Sequence, residues 1–189
     1  GVGYAESVAQ QVAALAREGR RPALFFSEGI LGTGGQIVLP PGYLAHAYAH
    51  VRAAGGLCIA DEVQVGYGRM GHFFWGFEEQ GVVPDIICMA KGMGNGHPLG
   101  AVITRRDIAE ALEAEGYFFS SAGGSPVSCQ IGMAVLDVME EEKLWENART
   151  VGGHFKARLE ALIDKHPLVG AVHGSGFYLG LELVRHRET

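Results

Sequence analysis

The stretch IADEVQVGYGRMGHFFWGFEEQGVVPDIICMAKGMGNGHPLGAVIT, from Ile59 to Thr104, decides the fold. It carries most of three short apolar runs: LCIADE (Leu57 to Glu62), IICMAK (Ile86 to Lys91) and AVITRR (Ala101 to Arg106). Each is nearly continuous in apolar residues instead of alternating. That is how strands read when they are buried on both faces of a mostly parallel sheet. Upstream, ALFFSE (Ala23 to Glu28) has the same character and also ends in an acid. Between these runs, Gly42 to Ala54 reads as a helix, with Leu44, Tyr48 and Val51 on one face and Gly55-Gly56 as its stop. Strand, helix, strand predicts an α/β sheet covered by helices on both faces.

The pattern extends outward in both directions. Ser7 to Arg17 has helical spacing, and Ser7 with Gln10 fits a capping box at its start. LGTGGQIVLPP reads as a Gly/Pro loop. Downstream, Ser125-Pro126 places an N-cap before a proline at the first helical position and opens a helix of about four turns. A further helix runs from about Lys143 to Ile163, and LVGAVHGSGFYLGLELV reads as two short strands around a Gly-rich turn. These elements lie beyond the long helices and predict a second, smaller α+β unit from Leu144, unfinished at Thr189.

Composition narrows the function classes. An apolar share of 48% with 19% charge excludes disorder as the main state. Fifteen basic residues against twenty-one acidic ones, with no basic cluster, argue against a nucleic-acid partner. No apolar stretch is long enough to span a membrane, and the start of the chain is polar, unlike a secretory signal. Cys58, Cys88 and Cys129 are widely spaced in apolar segments, which predicts reduced, buried thiols in a cytoplasmic setting. Weaker signals fail on spacing. Gly92-Met-Gly94-Asn-Gly96 lacks the final glycine of a dinucleotide loop. His46 and His50 share a helix without an acidic third ligand, and Ser175 sits in GSG, not GxSxG. The aromatic group Phe73, Phe74, Trp75 and Phe77 reads as core or subunit interface.

In a parallel α/β sheet the ligand lies at the carboxyl ends of the strands. Three strands here end in Glu28, in Asp61-Glu62 and in Lys91. Any one of these charges could be structural, since ion-pair networks also occupy strand ends. The combination is more telling. Lys91 leaves an apolar strand and enters GMGNGHP, a loop too small to shield it, and such an amine suits Schiff-base chemistry. A carboxylate within reach suits a protonated heterocycle nitrogen, as a pyridoxal cofactor requires.

The same residues carry a family resemblance. The Asp-Glu-hydrophobe-Gln block at Asp61 to Gln64, the Gly-Arg-x-Gly at Gly68 to Gly71, Pro84-Asp-Ile and Lys91-Gly fall in the order of the class III aminotransferases of fold type I, which use pyridoxal 5'-phosphate (PLP). SSAGGSPVSCQIGMAVL resembles the Ser-Thr-Phe-Gly-Gly-Asn-Pro block of that family, and similarity runs from about Ala23 to Val184. The resemblance implies an α/β PLP-dependent transferase fold, with residues 1–143 part of the large cofactor domain and 144–189 the start of the small one. It implies that Asp61 holds the pyridine nitrogen, Val63 packs on the ring and Gln64 reaches the ring hydroxyl. Lys91 would form the Schiff base and move the substrate proton. Ser121 matches a threonine that serves the cofactor phosphate of the neighbouring subunit in a homodimer, and Glu28 matches a glutamate near the cofactor.

The expected reaction is amino-group transfer from an amine or amino acid to a 2-oxo acid. Gly34 to Ile37, Val65, Gly94 to Pro98 and Ser125 to Cys129 resemble the alanine–glyoxylate aminotransferase 2-like branch, which includes phospho-lyases acting on ethanolamine phosphate or phosphohydroxylysine. A non-catalytic dimerisation or binding module is the alternative of another class. Three positions depart from the family: Thr33 replaces a second glutamate, Ala122 a phenylalanine and His173 an arginine. The phosphate cup and the ring-stacking aromatic of the family do not occur, so the chain reads as a fragment.

Overall fold

The computed structural model describes residues 1–116 and 118–187. In chain order its elements are α1 (Val2–Arg17), β1 (Leu24–Glu28), β2 (Ile30–Leu31), β3 (Ile37–Val38), α2 (Tyr43–Ala53), β4 (Leu57–Asp61), β5 (Ile86–Met89), β6 (Ala101–Thr104), α3 (Arg106–Glu115), α4 (Pro126–Glu141), α5 (Leu144–Glu160), β7 (Val169–Ser175) and β8 (Tyr178–Leu183). Single 3-10 turns at Gly76–Gln80 and Lys91–Gly94 interrupt the connections.

The main sheet has the order β1-β4-β5-β6. β1, β4 and β5 run parallel and β6 returns antiparallel at the edge. Alternation along the strands sorts the side chains. Phe25 and Cys58, register partners, face α2 and join Leu44, Tyr48 and Val51 in the core, with α1 stacked outside through Val8 and Val12. Leu24 and Phe26 point the other way and stay about half exposed, at 51% and 52%. The sequence led us to expect helices on both faces; within the described residues, α1 and α2 cover one face of β1.

Asp85 knits this layer together. Its backbone amide donates to the Cys58 carbonyl at 2.8 Å, and Thr104 Oγ1 donates to its carbonyl at 2.9 Å. Its buried carboxylate accepts from the Cys58 amide at 2.8 Å, from Arg52 Nε at 3.1 Å and from Arg105. Burial pushes the Asp85 carboxyl up, but the Cys58 amide and the two guanidinium groups outweigh that and hold it below the usual carboxylate range. One side chain thereby ties α2, β4, β5 and the end of β6.

β7 and β8 form an antiparallel hairpin with an irregularity between Val169 and Ala171. The hairpin and α5 meet the segment after β4 along a seam of glycines. A methyl on Gly68 would stand 2.5 Å from Trp145 Cβ, and one on Gly71 2.6 Å from the Arg149 backbone. One on Gly152 would stand 2.3 Å from the Gly176 carbonyl, and one on Gly176 2.4 Å from the Arg69 carbonyl. Two hydrogen bonds cross the same seam, Phe177 N to Arg69 O at 3.0 Å and Ser175 Oγ to Met70 O at 3.1 Å.

Four sequence expectations need correction. α1 starts at Val2, and Ser7 is no cap: inside the helix its hydroxyl donates back to the Tyr4 carbonyl at 2.7 Å. The Gly/Pro loop contains the short antiparallel pair β2–β3. The run read as a strand to Arg106 stops at Thr104, because Arg106 already opens α3. Of the three thiols only Cys58 is buried; Cys88 is half-buried and Cys129 lies exposed on α4.

Candidate active site

Glu28 and Asp61 are register partners at the carboxyl ends of β1 and β4, so their side chains leave the same face of the sheet side by side. Asp61 pairs in turn with Cys88 of β5, and Lys91 follows three residues further along. The parallel pairing thus brings Glu28, Asp61 and Lys91 to one edge, where the sequence placed them.

Each carboxylate is half satisfied. Asp61 Oδ1 accepts from the Val63 amide at 3.0 Å and Glu28 Oε2 from the Gly32 amide at 2.8 Å. Among the described residues no lysine, arginine or histidine forms an ion pair with either. Two like charges at adjacent strand ends raise each other's cost, and a cation between them relieves it. Glu28, Asp61 and Thr33 share an open hollow of about 790 Å³ against Phe26.

Lys91 sits at φ +45°, in the left-handed region that large side chains rarely adopt. Such strain is retained where a site demands a particular direction of the side chain. The lysine is exposed and makes no hydrogen bond or ion pair within the described residues. It opens onto a second hollow of about 710 Å³ with Arg69, Asn95 and His97. The His97 ring nitrogen Nε2 lies 2.9 Å from Ser128 Oγ, which fastens this loop to α4.

Val63 and Gln64 are half-buried in the turn directly after Asp61, closed by the Gly66 amide on the Glu62 carbonyl at 3.1 Å. Ser121 stands apart. It is exposed in the segment between α3 and α4 and lines neither hollow. His173, at the place of the family's arginine, has its Nε2 2.6 Å from Glu182 Oε2 across the β7–β8 hairpin.

Glu62 carries more than its place in the motif revealed. It is 1% exposed, and its oxygens accept from the amides of Gly76 at 2.7 Å and Phe77 at 3.0 Å. Burial pushes its carboxyl up to about 7; the two amides pull it down, while the charges of Asp61 and Glu78 add to the rise. It anchors the aromatic turn, in which Phe74 and Trp75 meet edge to face at 4.7 Å and Trp75 stacks on Phe77 at 6.2 Å. Of that aromatic group Phe77 is buried and Phe73 is 41% exposed. In the sequence Glu62 shows only as a second acid at a strand end, within the block from Asp61 to Gln64.

The donor set fits a pyridoxal cofactor: among the described residues Asp61 has a carboxylate oxygen with no hydrogen-bond partner, and an unpaired amine stands just beyond the adjacent strand.

Known proteins resemble this chain over most of its length. Residues 4–189 match the family described as Aminotransferase class-III. An alanine–glyoxylate aminotransferase 2-like protein of Drosophila melanogaster is 45% identical over 98% of this chain and 38% of its own length. The mitochondrial alanine–glyoxylate aminotransferase 2 homolog 2 of Arabidopsis thaliana is 54% identical over 87% of this chain and 34% of its own. Among solved structures, a phospholyase from Arthrobacter in complex with phosphoethanolamine is 37% identical, with a TM-score of 0.91 over 96% of this chain and 43% of that one. The chain therefore spans less than half the length of these relatives.

Proposed function

Since the chain belongs to the class III aminotransferase family, we propose that it forms the lysine-bearing part of a PLP-dependent transaminase site that moves an amino group from an amine or amino acid to a 2-oxo acid. The observation that carries this reading is the edge itself: two adjacent carboxylates, unneutralised by any protein cation among the described residues, beside an unpaired lysine held at positive φ.

When bound, PLP supplies an electron sink for the substrate's α-carbon. Asp61 would accept the proton-bearing ring nitrogen through its free oxygen, while the Val63 amide holds the other and fixes the carboxylate's direction. Val63 would pack on the ring and Gln64 would reach its hydroxyl. Lys91 would hold the cofactor covalently through Nζ and, once displaced, carry a proton to and from the substrate carbon. Residues 1–143 then belong to the large domain and 144–189 to the start of the small one. Ser121, exposed on this chain, would serve the neighbouring subunit in a homodimer. The free thiols fit a reducing compartment, and we place the protein in the cytoplasm.

A second reading is elimination of phosphate from ethanolamine phosphate or phosphohydroxylysine, supported by the likeness to the Arthrobacter phospholyase. Both reactions begin with the same proton removal by Lys91. Release of inorganic phosphate against formation of a new amino acid separates them.

The test is incubation with PLP, borohydride reduction and mass-spectrometric mapping, on this chain and on the full-length protein. A pyridoxyl label on Lys91, lost in Lys91→Ala and weakened in Asp61→Ala, is expected. Labelling of the full-length protein spread evenly over surface lysines would overturn the reading.

A further inference from the structure

The loop that follows Lys91 is wound against the preference of its own residues. Lys91 and Asn95 both stand at φ +45°, and Gly96 stands at +99°. A non-glycine residue keeps such a conformation only where its surroundings over-determine it. Three turns close within the loop: Met93 N to Ala90 O at 3.1 Å, Asn95 N to Gly92 O at 3.2 Å and His97 N to Gly94 O at 2.9 Å. They tie the loop to itself and not to the rest of the chain. Packing secures it on few sides, because a hollow lies to either side. One is the hollow of Lys91; the other, of about 640 Å³, is bounded by Tyr67, Phe177 and residues of α4 and α5. Gly92, Asn95 and His97 border both.

What fastens the loop is one face of α4. The His97 ring nitrogen Nε2 lies 2.9 Å from Ser128 Oγ. Two residues further along, Leu99 fills a notch over Gly132, where a methyl would stand 2.9 Å from Leu99 Cδ2. Ser128 and Gly132 are four apart in the helix and therefore share a face. Buried Gly94 closes on Leu99 from inside the loop, since a methyl there would stand 3.1 Å from Leu99 Cβ. Of the two anchors, the apolar one at Gly132 is non-directional, whereas the hydrogen bond to Ser128 fixes both a distance and an angle. Both of its residues are half-buried.

We propose that His97 is a positioning residue for Lys91: its hydrogen bond to Ser128 pins the loop to α4, preserves the left-handed winding and thereby fixes the direction in which the lysine amine leaves the end of β5. The imidazole acts through the loop backbone and needs no contact with the amine or the substrate. A serine hydroxyl both donates and accepts, so either neutral tautomer of His97 makes the contact. This rests on the aminotransferase reading. No local pattern joins the two residues, because Ser128 follows His97 by 31 positions.

The experiment uses the full-length protein with His97→Ala, His97→Gln, Ser128→Ala and the double variant His97→Ala/Ser128→Ala. Amide hydrogen exchange of peptides covering residues 92–99 is read by mass spectrometry without cofactor. With cofactor, the rate of pyridoxyl labelling of Lys91 is recorded beside kcat and KM for the amino donor. Melting temperatures separate loss of the fold from loss of the loop. With the hydrogen bond removed, exchange in 92–99 should quicken. Labelling should slow and kcat fall roughly five- to tenfold, the worth of one ordinary hydrogen bond, while KM changes less than about twofold. His97→Gln, whose side-chain amide can meet the same hydroxyl, should bring kcat back to within about threefold of wild type. Ser128→Ala should match His97→Ala, and the double variant should be no worse than either alone. If His97→Ala does not fold, Ser128→Ala carries the same comparison. A wild-type kcat in the single variants, or losses that add in the double variant, would overturn the proposal. So would a rise in KM at unchanged kcat, which marks contact with the substrate. A lower melting temperature with kcat per labelled Lys91 intact would overturn it too, since that marks a structural role alone. Absence of Lys91 labelling in the wild-type protein would instead sink the aminotransferase reading, a failure visible before any variant is compared.

Discussion

Replacing Glu62 with glutamine should make the stability of this chain depend less on pH, and the wild-type and Glu62→Gln melting curves should cross. The carboxyl titrates at 4.5 when solvated and at about 7 in the fold, because the folded chain buries it completely. At about 1.4 kcal/mol per pH unit, that difference costs the folded state about 3 kcal/mol once the group is ionised. The sign follows from the order of proton loss. Below pH 4.5 both states hold the proton and the cost is absent. Between 4.5 and 7 the unfolded chain gives it up first, so stability falls as pH rises. Above about 8 both states are ionised and the full cost applies.

Glutamine carries no charge, so this component vanishes. Its amide can accept from Gly76 or Phe77 but faces the other N–H with a donor, a loss of about 1 kcal/mol that does not vary with pH. At pH 4 the wild type should therefore melt about 2–3 °C higher, and the two curves should cross near pH 5. At pH 8 the variant should melt higher by roughly 4–8 °C, taking 2–4 °C per kcal/mol for a chain of this size. Circular dichroism melts at half-unit pH intervals decide the matter. A wild-type-minus-variant difference that stays constant from pH 5 to pH 8 would falsify the titration assigned to Glu62.

Asp85→Asn should lower stability by about 2 kcal/mol, discounted because Arg52 and Arg105 are half exposed and can return to water. Urea titration at pH 7 measures it, and the deficit should fade in acid as the depressed Asp85 carboxyl of the wild type takes up its proton. Gly152→Ala inverts the usual helix rule: alanine normally gains about 1 kcal/mol over glycine, yet here its methyl would stand 2.3 Å from the Gly176 carbonyl. A net loss of about 1–3 kcal/mol is expected, and an alanine variant more resistant to urea would refute the packing described. Phe26→Ser should leave the melting temperature nearly unchanged while reducing self-association seen by light scattering, since the ring is 52% exposed.

The main strands were legible because each is an apolar run with an abrupt charged end, and parallel pairing made those ends neighbours. Asp61 and Lys91 could thus be placed on one edge from spacing alone. What stayed hidden depends on partners distant in the chain. Ser7 has the composition of a cap, but only the structure shows five residues of helix before it. Cys129 lies in an apolar segment, yet α4 turns it outward. Covered strands and half-bare ones read alike in sequence, which is why Phe26 looked like core. Glu62 gains its meaning from Gly76 and Phe77, and no local period reports such contacts.

The seam formed by Gly68, Gly71, Gly152 and Gly176 has a further consequence. Where main chain rests directly on main chain, the gap between two elements is set by the thickness of the polypeptide itself. Side chains elsewhere can be exchanged without altering that gap, so the hairpin and α5 keep their distance from the segment after β4 while the surfaces around them change. Four missing methyl groups act here as a gauge, holding that spacing while the residues around it are free to drift.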